Sequence, residues 1–309
     1  MEHVINFKDM STEKLLHILD TAEQIKRSPD RYADSLKGKK MYMLFEKTST
    51  RTALSFGLGI EELGGIYFEQ TWRDSNFMVG EVCDEVRYVG RNVDVIMARL
   101  KGNATLLEMA KWSTVPVING CCNRYHPSQA LADVMTVKEL FGTYDVKMMY
   151  IGIRNNVLNS LADTLPRLGG KLWSMTPVIN APSTDEELMT SAAATGNFAE
   201  LSPDMPREEF LSLVREMDVL YTDCWLDMEF FNDPAYAPVM EERMAKMMPY
   251  QINEEMLAGA HAVVMHDMPI HSGYEVSRET VEKNIDTILR QAENRRHAEK
   301  GLLYTMLGE

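Results

Sequence analysis

Apolar residues fall into short continuous runs separated by longer stretches that repeat every three to four residues, the mark of strands alternating with helices. The first periodic stretch carries Leu15, Leu16, Ile18, Leu19, Ala22 and Ile25 behind Ser11, a favoured helix N-cap, and Ser28-Pro29 closes it. The pattern then predicts a strand over 41–45, a helix over 52–63, a strand over 66–69, a helix over 82–90 and a strand over 93–98. A helix over 106–112, a strand over 115–118 and a helix over 126–141 follow. Beyond Gly142 a second series begins: strand 146–151, helix 157–168, strand 171–175, helices 185–194 and 207–216, strands 218–222 and 261–265, and a final helix over 282–307. Continuous apolar strands between helices predict parallel sheets covered on both faces. Two such series predict two doubly wound α/β domains that meet near residues 142–145.

Composition narrows the class. Of 309 residues, 45% are hydrophobic and 25% charged, enough for sizeable cores and too apolar for disorder. The formal charge of −14 disfavours nucleic acid or anionic membrane as a partner, yet a local arginine cluster can still hold a small anion. No apolar run reaches the roughly 20 residues a membrane helix needs. The N-terminal residues lack the apolar core of a secretion signal, so a cytoplasmic protein is expected. Cys83, Cys121, Cys122 and Cys224 have no metal-ligand spacing, and the vicinal pair suits a disulfide poorly. They are read as packed thiols in a reducing compartment. The 23 methionines are scattered through helices and strands, as adaptable packing rather than chemistry.

In open parallel sheets ligands sit beyond the carboxyl ends of strands. The polar clusters at 48–52, Arg99, 119–129, 152–156, Asp223 and His266 share that address and are expected to line one cleft between the domains. In Phe45-Glu46-Lys47-Thr48-Ser49-Thr50-Arg51-Thr52 a strand breaks into hydroxyls and an arginine, then enters a helix. Free N–H groups of a first helical turn, the positive end of its dipole and a bidentate guanidinium all favour one phosphate. Plain capping by Ser49 is the alternative. Arg99 serves either a surface ion pair or the same anion. In His126-Pro127-Ser128-Gln129 a histidine stands at a helix start, where the dipole disfavours added positive charge. A neutral ring there either caps the helix or polarises a carbonyl.

Together these motifs resemble the aspartate and ornithine carbamoyltransferase family, and the ornithine branch more closely. The resemblance covers nearly the whole chain. It extends through His126-Pro127-Ser128-Gln129-Ala130-Leu131-Ala132-Asp133, Arg154-Asn155-Asn156-Val157 with Asn159-Ser160, Tyr221-Thr222-Asp223 and Ala292-Glu293-Asn294-Arg295. It implies transfer of a carbamoyl group from carbamoyl phosphate to an amine, with residues 1–142 holding carbamoyl phosphate and 143–285 the acceptor. The C-terminal helix, 286–309, is expected to return to the first domain. By the same resemblance Ser49, Thr50, Arg51, Thr52 and Arg99 hold the phosphate, and Arg51, Thr52 and His126 the carbonyl oxygen. Gln129 takes the carbamoyl amino group together with the turn at Asp267 and Met268, and Arg295 completes the site. Arg51, His126 and Asp267 are the candidate catalytic residues; Asn156, Asp223, Asp227 and Met228 are the candidate acceptor contacts. A homotrimer is implied, and the chemistry calls for no metal, nucleophilic side chain or organic cofactor.

The acceptor side departs from the family pattern. Where an Asp-x-x-x-Ser-Met-Gly run is usual, this chain has Asp223-Cys224-Trp225-Leu226-Asp227-Met228-Glu229. His266-Asp267-Met268-Pro269 stands for His-Cys-Leu-Pro, and Gly152-Ile153-Arg154-Asn155-Asn156 shortens Gly-Asp-Ala-Arg-Asn-Asn. Ala53 replaces a common arginine, and Asp74-Ser75-Asn76-Phe77 stands where a neighbouring subunit's glutamine is usually offered. Added carboxylates favour a more cationic acceptor. The acceptor is therefore ornithine or a related basic amine, with a diamine carbamoyltransferase working catabolically as one alternative. An inactive carbamoyl-phosphate-binding paralogue is the alternative of another class.

Overall fold

The computed structural model describes residues 2–226 and 234–308. The chain divides into two compact units, Met1–Met135 with Glu293–Glu309, and Thr136–Ala292.

The first unit opens with α1 (Thr12–Arg27), whose first turn is capped by the Ser11 hydroxyl accepting from Lys14 N–H. Then β1 (Lys40–Phe45), α2 (Thr50–Glu62), β2 (Ile66–Thr71), α3 (Val82–Gly90), β3 (Val95–Arg99), α4 (Asn103–Trp112) and β4 (Val117–Cys121) alternate. The four strands are all parallel in the order β2-β1-β3-β4. β1, β3 and β4 are almost wholly buried, as continuous apolar runs require, whereas the edge strand β2 leaves Ile66, Tyr67 and Phe68 exposed. The chain leaves β1 in one direction along the sheet and returns on its other side as β3, so the ligand-binding crevice of this sheet lies at the β1–β3 ends.

Helix α5 (Pro127–Phe141) leads into the second unit. There β5 (Lys147–Arg154), α6 (Asn156–Ala162), β6 (Lys171–Ile179), α7 (Glu186–Ala194), β7 (Phe198–Leu201), α8 (Arg207–Arg215), β8 (Val219–Thr222), α9 (Ala237–Met247) and β9 (Val263–His266) follow. The five strands are parallel in the order β7-β6-β5-β8-β9, which places the reversal between β5 and β8. Met149, Ile151, Leu220 and Val264 of the sheet pack against Phe210, Val214 and Ile288 in one core. The last helix, α10 (Arg278–Leu307), gives its final turns to the first unit. Within that unit Lys300 donates to Glu62 at 2.6 Å, and a Cβ on Gly301 would stand 2.6 Å from the Ile18 carbonyl, so glycine is what lets α10 lie against α1.

The doubly wound architecture follows the sequence reading; several boundaries do not. The stretch expected as one helix over 157–168 is α6 plus a separate 3₁₀ turn, Leu165–Leu168, because Pro166 has no N–H to continue the ladder. Helix α10 begins before 282, with the Ser277 hydroxyl accepting from Thr280 N–H. Strand β7 and helix α9 have no counterpart in the hydrophobic pattern, since Phe198 alone of β7 and Met247 alone of α9 are buried. Among the described residues no helix is long and apolar enough to cross a membrane.

Candidate active site

At the end of β1 the chain turns into α2, and Ser49 caps it: its hydroxyl accepts from Thr52 N–H at 3.2 Å. Capping and ligand binding are thus served by one loop. Thr52 is fully buried, and three groups converge on its hydroxyl: Ser49 Oγ at 3.0 Å, Arg99 Nη1 at 3.3 Å and Arg295 Nη2 at 2.7 Å. β3 supplies Arg99 and α10 supplies Arg295, while Arg51 stands in the first turn of α2. The Nε atoms of Arg99 and Arg295 are buried without an acceptor. A buried donor in that condition costs about 1–3 kcal/mol. An anion that accepts from both arginines removes this cost.

His126, just before α5, is buried. Desolvation holds its pKa well below 6.5, and Arg295, Arg99 and Arg51 push in the same direction. The ring is therefore neutral at physiological pH and able to donate to a carbonyl oxygen without surrendering a proton. One turn into α5, Gln129 Nε2 donates to Asp133 Oδ1 at 2.9 Å, the natural reach of an i, i+4 pair. That contact fixes the amide, leaving Gln129 Oε1 buried and without a donor. Glu299, one turn beyond Arg295 on α10, has its carboxyl 3.8 Å from Arg295 Nη2. Burial raises its pKa from 4.5 to about 8, against the opposing pull of Arg295 and of the Ser55 and Ser128 hydroxyls. It is mostly protonated at neutral pH, so it does not cancel the arginine field.

The second unit builds a different surface at the ends of β5, β8 and β9. Asn155 caps α6, its Oδ1 accepting from Val157 N–H, Leu158 N–H and the Tyr150 hydroxyl. Its Nδ2 donates to Asp223 Oδ2 at 2.6 Å, and Cys224 N–H donates to Asp223 Oδ1 at 2.5 Å. Tyr150 reports the local field: burial, then Asp223, Asp267 and Cys224, push its pKa well above 10. After β9, His266 Nδ1 accepts from Met268 N–H at 2.8 Å and Nε2 faces Glu275 Oε1 at 3.1 Å. With Nδ1 accepting, the proton is on Nε2. Met268 takes a left-handed φ of 63°, uncommon for a residue with a side chain and a conformation found in turns that serve ligands.

Of the residues singled out from sequence, Ser49, Arg51, Thr52, Arg99, His126, Gln129 and Arg295 come together in the first unit. Thr50 opens α2 with an exposed side chain. Asp223, Asp267 and Met268 stand at the strand ends of the second unit, and Asn156 is half-buried at the start of α6. Asp227 and Met228 lie outside the described residues. All four cysteines are free thiols, with Cys121 and Cys122 buried. Sequence reasoning passed over Tyr150, Asn155 as the partner of Asp223, Glu275 and Glu299. Only Asn155 carried a signal, as an asparagine one residue before a helix.

Comparison with known proteins agrees with this division. Residues 2–139 match the family described as aspartate/ornithine carbamoyltransferase, carbamoyl-P binding domain. Residues 144–306 match that described as aspartate/ornithine carbamoyltransferase, Asp/Orn binding domain. The chain is 35% identical over 320 residues to an ornithine carbamoyltransferase of Archaeoglobus fulgidus, covering 100% of this chain and 98% of the relative. It is 36% identical over 307 residues to that of Haloquadratum walsbyi, covering 99% and 97%. Among solved structures, the ornithine carbamoyltransferase of Pyrococcus furiosus superposes with a TM-score of 0.88 at 34% identity, covering 99% of this chain and 97% of that one. That of Thermus thermophilus gives 0.83 at 32%, covering 99% and 98%.

Proposed function

The chain belongs to the aspartate/ornithine carbamoyltransferase family, and from that premise we propose that it moves the carbamoyl group of carbamoyl phosphate to the amine of ornithine or a related basic amine. The observation that carries this reading is the convergence of Ser49, Arg99 and Arg295 on the buried Thr52 hydroxyl, beside a neutral His126. In this reading residues 1–142 with helix 286–309 serve carbamoyl phosphate and 143–285 the acceptor.

Ser49, Thr50, Arg51, Thr52 and Arg99 hold the phosphate, and Arg295 neutralises it further. Arg51, Thr52 and His126 donate to the carbonyl oxygen, where negative charge develops as the nitrogen lone pair adds to carbon. Gln129 Oε1, left without a donor by the Asp133 contact, accepts from the carbamoyl amino group. The backbone of the Asp267–Met268 turn takes the other amino hydrogen. The C–O bond to phosphate then breaks, and its electron pair leaves with the phosphate. The amine's proton passes to Asp267 or to the departing phosphate. Positioning and preorganised donors supply the acceleration.

Asn156 and Asp223, with Asp227 and Met228, hold the acceptor. Arg154, the last residue of β5, is engaged by Glu186 at 3.2 Å and Glu200 at 3.5 Å, and Arg243 donates to the Trp225 carbonyl at 3.3 Å. Asp223 and Asp267, both near enough to act on the Tyr150 hydroxyl, put two carboxylates on the acceptor side, which favours a cationic amine and supports a diamine as a second reading. A homotrimer accounts for the apolar side chains of Ile66 and Phe68 left exposed on the edge strand β2, and four free thiols accord with a cytoplasmic location.

The test is formation of a ureido product from carbamoyl phosphate with ornithine, lysine and putrescine, against a no-amine control. Product with at least one amine is expected. Phosphate release without ureido product, or no turnover at all, would leave a binding-only paralogue.

A further inference from the structure

We propose that Glu299 is a proton-linked positioning residue for Arg295: as the neutral acid it leaves the guanidinium to the phosphate group, and as the carboxylate it draws the guanidinium off, so that the site takes up its anion and a proton together. The inference rests on the reading of the first unit as a phosphate site.

The geometry is a cluster built on α10. Glu299 and Arg295 form an i, i+4 pair on one helix face, and the carboxyl lies 3.8 Å from Nη2, the nitrogen that donates to the Thr52 hydroxyl at 2.7 Å. Both side chains are buried, so little water screens one from the other. The pair is adjacent yet unbonded: neither Glu299 oxygen has a hydrogen-bond partner among the described residues. A carboxylate so close to a guanidinium would close a charge-assisted bond; a neutral acid makes no such demand.

The groups around the carboxyl are neutral hydroxyls and cations held elsewhere. Ser55 of α2 and Ser128 of α5 face it. The Ser55 hydroxyl donates to the Thr52 carbonyl at 3.4 Å, and Ser128 Oγ stands 3.5 Å from Nδ1 of the neutral His126. Farther along α10, Lys300 is held by Glu62 at 2.6 Å, and Arg296 pairs with the same carboxylate at 3.1 Å. Arg51, Arg99 and Cys121 act on Arg295. Burial pushes the Glu299 pKa up to about 8, so the proton leaves just above neutrality.

Its loss to solvent puts a full negative charge one turn from Arg295, a short rotation from a direct pair. Carboxylate and phosphate then compete for one guanidinium. Linkage requires the reverse effect as well: a bound phosphate dianion repels the carboxylate and holds the proton on Glu299.

The test is the Kd of inorganic phosphate by calorimetry, for the full chain and for Glu299→Gln, at pH 7, 8 and 9 and constant ionic strength. Dividing the native value by the variant value removes the titration of phosphate itself. If the anion raises the Glu299 pKa by roughly one unit, this ratio stays within about twofold of one at pH 7 and reaches about fivefold at pH 9. At pH 8.5 the native chain takes up about half a proton per phosphate, read from two buffers of different ionisation enthalpy, and the variant takes up none. Glu62→Gln, which removes the partner of Lys300 instead, keeps the native profile. In turnover the KM for carbamoyl phosphate follows the same ratio, and the acceptor KM does not. Native and Glu299→Gln profiles that coincide, or phosphate binding without proton uptake by the native chain, overturn the inference and leave the phosphate site standing. No phosphate binding by either protein at pH 7 overturns the carbamoyl phosphate reading and this inference with it.

Discussion

The first unit brings Arg99 and Arg295 onto one buried hydroxyl, with Arg51 in the same first helical turn as that hydroxyl, whereas the second sets Asp223 and Asp267 just beyond its strands and pairs Arg154 with Glu186 and Glu200. The same doubly wound frame, with polar residues beyond the carboxyl ends of parallel strands, thus carries opposite charge in the two units. The frame decides where a ligand sits, and the side chains decide which ligand. A basic set with unmatched N–H groups answers a phosphate; an acidic set answers an amine. The contrast also adds to what burial does to the protonation states: after burial, the arginines push His126 further towards neutral, and the aspartates push the Tyr150 pKa further up.

The contrast can be broken at its basic end first. Arg51→Ala removes a donor to both the phosphate and the developing oxyanion, and kcat/KM for carbamoyl phosphate is expected to fall by about 10²- to 10³-fold with every acceptor alike. Steady-state kinetics with two different amines checks this; a loss confined to one amine would move Arg51 to the acceptor side. A smaller effect is expected from Gln129→Ala, which deletes one neutral acceptor for the carbamoyl amino group. It should cost about tenfold in kcat/KM, or roughly 1.4 kcal/mol.

Glu299 is the exception within the basic unit and gives the smallest effect on turnover. Glu299→Gln mimics the protonated acid, so the carbamoyl phosphate KM near neutral pH should move by less than about twofold, since Arg295 sees little change of charge. Stability should respond. With a folded pKa of about 8 against 4.5, the unfolded chain loses its proton first as pH rises. Stability then falls across that window, by up to roughly 1.4 kcal/mol per pH unit. Thermal melts of the two proteins should diverge from pH 5 to pH 8, the variant melting higher. Parallel melting curves would show Glu299 to be ionised throughout.

Much of the first unit was legible because its strands β1, β3 and β4 are buried on both faces and read as unbroken apolar runs, and because Ser49 to Thr52 and His126 to Gln129 are local in sequence. The second unit yielded less. Strand β7 and helix α9 each bury a single residue, so no periodicity marks them. The pairing of Asn155 with Asp223 spans 68 residues, that of His266 with Glu275 runs through an irregular loop, and Glu299 hides in a helix face that reads as solvated charge. Contacts of that kind are fixed by the fold, and composition or spacing carries no trace of them.

The central claim, that an acidic acceptor half-site selects its amine by charge, is tested most directly by kcat/KM for putrescine relative to ornithine, in the native chain and in Asp267→Asn. Removing one carboxylate charge should lower that ratio by about tenfold, the worth of roughly 1.4 kcal/mol from one charge pair in a partly solvated site. A ratio that stays the same within twofold, with Asp267→Asn still active, would contradict it and return the choice of acceptor to groups other than these carboxylates.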